Sequence, residues 1–398
     1  MNKQNTFFAT LLMLFGLSTP CEAESLDNFL GKVRGQNLDL ASQDKLIHAA
    51  HESSKGINLK PPSIGVSQMR NLVGVSYAFE VQQEVPLSSR LGSDKKSREG
   101  KFELQKKVSL YDSHEILLQA RLAFVNYWMN YEKLKLIDEL SGWLKHHAQY
   151  AQSQVRSSTD IKIYALEIEG TIGVIENEAS NLKDGLEVEK ARLKSLVYDN
   201  AYEPGTPVLG VEKDFFEATE ASKMASINLS MLKIADSDLE VAKSSSMPNL
   251  FVKVRKLDRP MIGMANQEIM LGIDLPFAFF WQPRAEKAQA HANKFVAEAK
   301  YKKSQVESAS MKETLKRRAV IVKNQISTLE KVSLPAAEKR LKYLKNISPR
   351  DMNGLESHHK IFHDYIDLKT QLIETRYKYE ELYANWTLLF TEGKLDDI

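Results

Sequence analysis

The sequence predicts a mainly α-helical protein with a small β part, in which one unit of helix, strand, strand and long helical hairpin occurs twice. Three observations carry this reading. Apolar residues recur at alternating steps of 3 and 4 along stretches too long for an ordinary globular helix. Short segments between them alternate apolar and polar residues with period 2. The order of these elements is the same in both halves of the 398-residue chain, and an internal repeat of that size governs the whole fold.

Residues 1–23 read as a signal peptide. Lys3 gives the positive start, and Phe7 to Leu17 is an apolar stretch too short to span a bilayer as a helix. Cys21-Glu22-Ala23 ends in a small residue, after which cleavage is expected. Lipidation of Cys21 is the alternative; lipoprotein signals usually carry an aliphatic residue three places earlier, where Ser18 stands. Cys21 is the single cysteine, so cleavage after Ala23 leaves no thiol and no disulfide. No later stretch reaches the roughly 18 apolar residues of a transmembrane helix.

The first repeat is expected over 24–198. Its first helix covers about Leu26 to Ser54 and stops before Pro61-Pro62, because proline cannot continue a helix. A weaker strand, Ser63 to Met69, precedes a strong one in which Val73, Val75, Tyr77, Phe79 and Val81 alternate with Gly74, Ser76, Ala78, Glu80 and Gln82. The strand region, about 63–85, ends at the corner Val85-Pro86-Leu87, and a helical hairpin fills about 97–196. Ser97 to Gln154 is nearly 60 residues, on the order of 85–90 Å at 1.5 Å per residue. The return helix, Ile161 to Leu196, carries a heptad seam of Ile161, Ala165, Ile168, Ile172, Ile175, Ala179, Leu182 and Leu186. Ile137, Leu140, Leu144, His147 and Ala151 answer it from the descending helix, which makes the pair an antiparallel hairpin.

A Pro- and Gly-bearing linker is expected at 199–213, and the second repeat over 214–398. Phe215 to Lys243 matches the first helix, with Asn228-Leu229 in the place of Asn37-Leu38. Strands fill about 249–275: Asn249 to Leu257, then Ile269, Leu271, Ile273 and Leu275 alternating with Glu268, Gly272 and Asp274, with Met270 as the apolar exception. The corner Leu275-Pro276-Phe277 leads into a hairpin over about 284–391.

Four strands with one apolar face pose a problem. In lipid every backbone N–H and C=O must be paired, so only helices or closed barrels span. Four strands are too few to close a barrel with a usable lumen. They either lie on a soluble helical body or are pooled by several chains, and three copies would give twelve strands. In a pooled barrel Val75, Tyr77, Phe79, Ile269, Leu271 and Ile273 face lipid, while Ser76, Glu80, Gln82, Gly272 and Asp274 face the lumen. Phe277, Phe279, Phe280 and Trp281 then mark the periplasmic membrane boundary, where aromatic rings collect; the alternative is a local core where helix meets strand.

Four groups of residues carry a family resemblance. Asn228-Leu229, Ala235, Ala242, Pro248 and Leu250 form the first. Val85-Pro86-Leu87 with Leu91-Gly92 and Lys95-Lys96 is the second, and Gly272-Ile273-Asp274-Leu275-Pro276-Phe277 before an Ala-rich helix from Arg284 is the third. The fourth is Leu334-Pro335-Ala336-Ala337 inside a late long helix. In this order the chain resembles the TolC-like outer-membrane efflux protein family from about Leu26 to Leu389, with strand ends nearest to its heavy-metal efflux branch. The resemblance implies a homotrimer with a 12-stranded β-barrel in the outer membrane and a periplasmic α-helical barrel. It implies a passive conduit for solutes, working with a periplasmic adaptor (membrane fusion) protein and an inner-membrane transporter and using no cofactor. The hairpin tips, Val155 to Asp160 and Asn346 to Asp351, would form the periplasmic gate and meet the adaptor, with Arg156, Ser157, Asp160, Ser348, Arg350 and Asp351 as candidate residues. The family often has a glycine at the tip; this sequence has none, and Asn346 could take its place, since Asn tolerates a left-handed conformation.

Other functions find little in the sequence. Lys and Arg total 54 against 52 for Asp and Glu, which argues against a nucleic-acid partner. There is no Gly-rich phosphate loop, no G-x-S-x-G and no H-E-x-x-H, and no enzymatic activity is expected. His359 and His363 share a helix face beside His358, and His146-His147 lie near the other tip, but no further ligands accompany them and no metal site is assigned. The competing reading is a soluble periplasmic coiled-coil scaffold or adaptor. An adaptor normally has one hairpin flanked by β-domains, whereas two hairpins and two strand pairs are expected here.

Overall fold

A computed structural model describes residues 23–56, 59, 61–71, 74–86, 88–154, 159–210, 222–244, 249–258, 266–274, 282–344 and 352–390. Of the expected signal peptide, residues 1–22 lie outside this set. The elements in order are β1 (Ala23–Ser25), α1 (Leu26–Gln36), α2 (Leu38–Ser54), β2 (Ser63–Asn71), β3 (Gly74–Pro86), α3 (Ser88–Gln154), α4 (Thr159–Val197), β4 (Thr206–Val208), α5 (Lys223–Ser244), β5 (Asn249–Leu257), β6 (Gln267–Asp274), α6 (Gln282–Thr328), a π-helical turn (Leu329–Ser333), α7 (Leu334–Leu344) and α8 (Met352–Phe390). The molecule is mainly helical with a small sheet part, as the sequence predicts. Two compact units can be separated: unit 1 is 1–41, 113–220 and 311–398, and unit 2 is 42–112 and 221–310.

Unit 1 holds the apolar seams. Along α4, Ile161, Ala165, Ile168, Ile175, Ala179 and Leu186 are buried, and Ile172 and Leu182 pack partly buried against them. Ile137, Leu140, Leu144, His147 and Ala151 of α3 are buried too. Leu355, Phe362, Ile366 and Ile373 of α8 complete the same core. A second core gathers Phe29, Leu30 and Val33 of α1 with Leu117 and Phe124 of α3 and Leu193 of α4; the Phe29 and Phe124 rings stack at 5.4 Å. A third joins Leu315, Ala319 and Ile326 of α6 to Tyr379, Trp386 and Phe390 of α8.

The structure corrects several boundaries. The single helix expected over Leu26 to Ser54 is two helices, because Asn37 adopts an extended conformation (φ −69°, ψ 119°). Its side-chain oxygen accepts from the N–H of Asp39 (3.0 Å) and Leu40 (3.1 Å), capping α2, and its amide donates to the Leu196 carbonyl at the end of α4 (2.8 Å). Asn228, its expected counterpart, lies inside the unbroken α5. The expected linker 199–213 contains β4, which pairs in parallel with β1 in the register Ala23↔Thr206 to Ser25↔Val208. Two three-residue strands carry too little pattern to be read from sequence, and the tie depends on buried Glu24. That carboxylate accepts from Tyr202 Oη (2.6 Å), Lys32 Nζ (2.7 Å) and Gly205 N (3.2 Å).

Helix α3 begins at Ser88, not near Ser97. Contacts within unit 2 hold the early turns. Arg98 pairs with Asp94 (3.0 Å) and its guanidinium donates to the Gly56 carbonyl just past α2 (3.0 Å). The hairpin helix of the second half is interrupted by the π-helical turn, in which Leu334 N–H donates to the Leu329 carbonyl five residues back. Pro335 accounts for it. Proline has no N–H, and its ring would collide with the carbonyl four residues earlier in a regular helix; a wider turn just before it removes that clash.

In unit 2 the four longer strands form one antiparallel sheet in the order β2-β3-β5-β6. Ser63↔Gln82 and Asn71↔Gly74 bound the first pairing, Ala78↔Leu257 and Pro86↔Asn249 the second, and Asn249↔Asp274 and Lys256↔Gln267 the third.

Candidate functional site

The sheet of unit 2 is the most unusual surface among the described residues. Register decides which side chains share a face, since successive residues of a strand point to opposite sides. Val81 lies opposite Ile64 on one side and Val254 on the other, and Val254 lies opposite Ile269. Phe79 lies beside Val66, Val252 beside Leu271, and Leu250 beside Ile273. Val75, Tyr77, Phe79, Ile269, Leu271 and Ile273 therefore lie on one face. All six are exposed in the single chain, with Ile269 at 75% and Leu271 at 79%. Ile64, Val66, Val81, Leu250, Val252 and Val254 extend the same face and are exposed as well. Apart from Val81, which belongs to the alternation of the strong strand, sequence reasoning did not single these out. The alternation in 249–257 was the available signal, but only the register shows that it continues the face of β3 and β6.

The opposite face is polar and internally paired. Glu80 Oε1 accepts from Ser67 Oγ and Arg255 Nε (both 2.9 Å), and Lys253 closes on its other oxygen. Arg255 also reaches Glu268 at 3.5 Å. At one end of the strands Asp258 accepts from Ser76 Oγ (2.6 Å) and Tyr77 N–H (2.9 Å), which ties the β5–β6 turn to β3. Ser76, Glu80, Gln82 and Gly272 lie on this side by register. Gly272 makes room there for a neighbouring ring: a Cβ would stand 2.4 Å from Phe251 on the adjacent strand unless that ring shifted. Asp274 pairs with Asn249 through the backbone.

Two strands, β2 and β6, are the sheet's edges, each with one side of its backbone unpaired in the four-strand order. Long apolar edges of this kind are templates for pairing with another chain. Neighbours in this sheet run antiparallel, so the first and fourth strands run in opposite directions. The β6 edge of one copy could therefore continue antiparallel into the β2 edge of the next.

At the hairpin ends, Asp160 lies exposed in the first turn of α4, where a negative charge suits the helix N-terminus. Arg156, Ser157, Ser348, Arg350 and Asp351 lie outside the described residues, as do Phe277, Phe279, Phe280 and Trp281. The imidazoles of His359 and His363 stack at 6.2 Å, yet among the described residues no three metal-ligating groups converge on one point. A groove of about 660 Å³ runs between α5 and α6, lined largely by small and aliphatic side chains such as Ile234, Ala290 and Ala297. Its Asp238 accepts from Ser97 Oγ at 2.6 Å. No helix among the described residues is long and apolar enough to cross a membrane.

No protein-family model matches the sequence, and no curated protein gives a significant match. Solved structures do match. A membrane protein from Pseudomonas aeruginosa superposes with a TM-score of 0.74 at 12% identity, over 93% of this chain and 91% of that one. The open state of the MtrE outer membrane channel of Neisseria gonorrhoeae gives 0.73 at 12% identity, over 91% and 88%. The outer membrane protein VceC of Vibrio cholerae gives 0.71 at 10% identity, over 91% and 95%. At such identities the likeness is one of architecture, and over nine-tenths of its length this chain has the fold of these membrane proteins.

Proposed function

We propose that this chain is the outer-membrane channel subunit of a tripartite efflux or export system, a passive conduit for solutes from periplasm to exterior. The observation that carries the reading is the four-stranded sheet with one face largely apolar and exposed, the other face polar and ion-paired, and two open edges. Water is a poor solvent for such a face, and lipid is a poor solvent for such edges. One arrangement satisfies both: three copies join β6 to β2 in a closed barrel of twelve strands, with Val75, Tyr77, Phe79, Ile269, Leu271 and Ile273 toward lipid and the Glu80–Arg255 network toward the lumen. The shared fold with the MtrE channel supports this.

In this reading the two halves, 24–198 and 214–398, are structural repeats. The helical units form a periplasmic tunnel, and the tips with Arg156, Ser157, Asp160, Ser348, Arg350 and Asp351 form the gate that a periplasmic adaptor engages, with an inner-membrane transporter supplying energy. Phe277, Phe279, Phe280 and Trp281 mark the periplasmic membrane boundary. The chain catalyses nothing itself. The test is the mass of the detergent-extracted outer-membrane species, by light scattering coupled to chromatography. A trimer that requires detergent supports the pooled barrel; a monomer or dimer in the salt-washed periplasmic fraction overturns it in favour of a soluble scaffold.

A further inference from the structure

The seam of unit 1 contains a group that the conduit reading does not use. Among the aliphatic residues joining α3 to α4, position 147 is a histidine, buried at 8% exposure. Its ring stacks on Trp143 at 4.5 Å, and Trp143 stacks on Phe362 of α8 at 4.5 Å. Its Nε2 lies 3.2 Å from the Leu355 carbonyl at the start of α8 and 3.1 Å from Tyr164 Oη of α4. A carbonyl can only accept, so the bond to Leu355 forms when the neutral ring carries its proton on Nε2. Tyr164 Oη donates to the same carbonyl at 3.2 Å. One backbone oxygen of the second hairpin is thus held by two side chains of the first, and buried Leu355 is fixed in the core.

Further imidazoles surround this contact. The ring of His358 lies 6.5 Å from that of His147 and nearly parallel to it, and His359 lies 6.5 Å away edge-on. His359 in turn stacks with His363, which pairs with Asp367 at 3.1 Å. The carboxylates that act here are Glu167 of α4, toward Tyr164 and His359, and Glu356 of α8, toward Tyr164. None of the carboxylates named is hydrogen-bonded to His147. A second proton on His147 would create a buried cation facing two further imidazoles.

We propose that this cluster is a proton-operated latch between the two helical hairpins, closed when His147, His358 and His359 are neutral and released when they are protonated. Burial pushes His147 down to about 4, opposed by its bond to Leu355 and assisted by His359 and His358; burial also lowers His358 and His359. Because the closed form binds the proton more weakly, the latch holds fully above the ordinary histidine value and weakens as pH falls from there toward 4. For His147 alone, opening is favoured about 20-fold at pH 5 relative to neutral pH. A role in gating rests on the channel reading; the latch itself does not.

Two measurements on the full chain in detergent separate these. Amide hydrogen exchange over 353–366, corrected for intrinsic rates, should show opening rise about 30-fold between pH 7.5 and pH 5, while amides near Phe124 keep their protection. His147→Gln keeps a donor for the Leu355 carbonyl but cannot titrate, and should lose most of this rise; His359→Gln, at a less buried position, should lose a smaller part. No rise in the native protein, or an equal rise in both variants, overturns the latch. In planar bilayers the native channel should conduct more at pH 5 than at pH 7.5 on the hairpin side, and His147→Gln should show little change. Exchange that shifts without any conductance at either pH keeps the latch and sinks the channel reading; conductance with unshifted exchange does the reverse.

Discussion

Unit 1 and unit 2 use the same apolar residue types in opposite ways. In unit 1 the seams hold large side chains inside: Phe29, Phe124, Leu144, Leu193 and Trp386 are at or near zero exposure. In the sheet of unit 2 Ile64, Ile269, Leu271 and Phe79 are more than half exposed, although their alternation is as regular as any heptad in unit 1. Hydrophobicity alone therefore does not tell core from surface. Period does: a step of 3 and 4 buries one stripe of a helix against its neighbours, while a step of 2 gives a sheet one apolar face, which is left exposed in this single chain. If the proposed channel is right, the two units meet different solvents, and substitutions can test that difference.

The largest effects belong to unit 1 and should not depend on lipid. Phe124→Ala removes a fully buried ring stacked on Phe29, and should lower stability by about 3–5 kcal/mol. Arg121→Ala should cost a similar amount, about 3–5 kcal/mol. Arg121 donates twice to Glu380 Oε2 (2.9 and 2.6 Å) and lies over the Tyr383 ring at 4.4 Å, with both charged groups buried. Chemical denaturation monitored by helical circular dichroism checks both, in detergent and in vesicles, and the two media should agree.

Leu271→Arg is the sharpest test of the comparison. If the face meets lipid, the change should cost roughly 2–4 kcal/mol in vesicles, depending on depth. If the face meets water, an exposed substitution should stay within about 0.5 kcal/mol. Urea unfolding from lipid vesicles reads the difference. Gly272→Ala probes the polar face with a smaller effect. The added methyl would overlap the Phe251 ring, so a loss of about 1–3 kcal/mol is expected, and Phe251→Leu in the same chain should recover most of it.

The sequence made these regions legible to different degrees, for physical reasons. The seam Ile161 to Leu186 and the alternation of Val75 to Val81 are local patterns, and one strand or helix suffices to recognise them. Glu24 grips Tyr202, 178 positions away, beside the β1–β4 pairing, whose two strands have three residues each, too short to leave a period. The Glu80–Lys253–Arg255 network needed a register between strands of different halves. His147 was visible as a seam position, but its bond to the Leu355 carbonyl depends on where the second hairpin docks, which no spacing within the first reveals.

The pair Asn37 and Asn228 gives the smallest predicted effect and the finest test of the duplication. Sequence alignment of the halves treats them as equivalent, yet the structure gives them different work. Asn37 ends α1, caps α2 through two backbone N–H groups and holds the Leu196 carbonyl from a buried position. Asn228 sits within α5, where asparagine is a poorer helix former than alanine. Asn37→Ala should therefore cost about 1–2 kcal/mol, as the loss of a cap does, and Asn228→Ala should be neutral or stabilise by a few tenths of a kcal/mol. Equal losses at both sites would mean that the second half breaks its first helix as the first half does. Unequal losses would show that the two halves kept the motif while only one kept the bend.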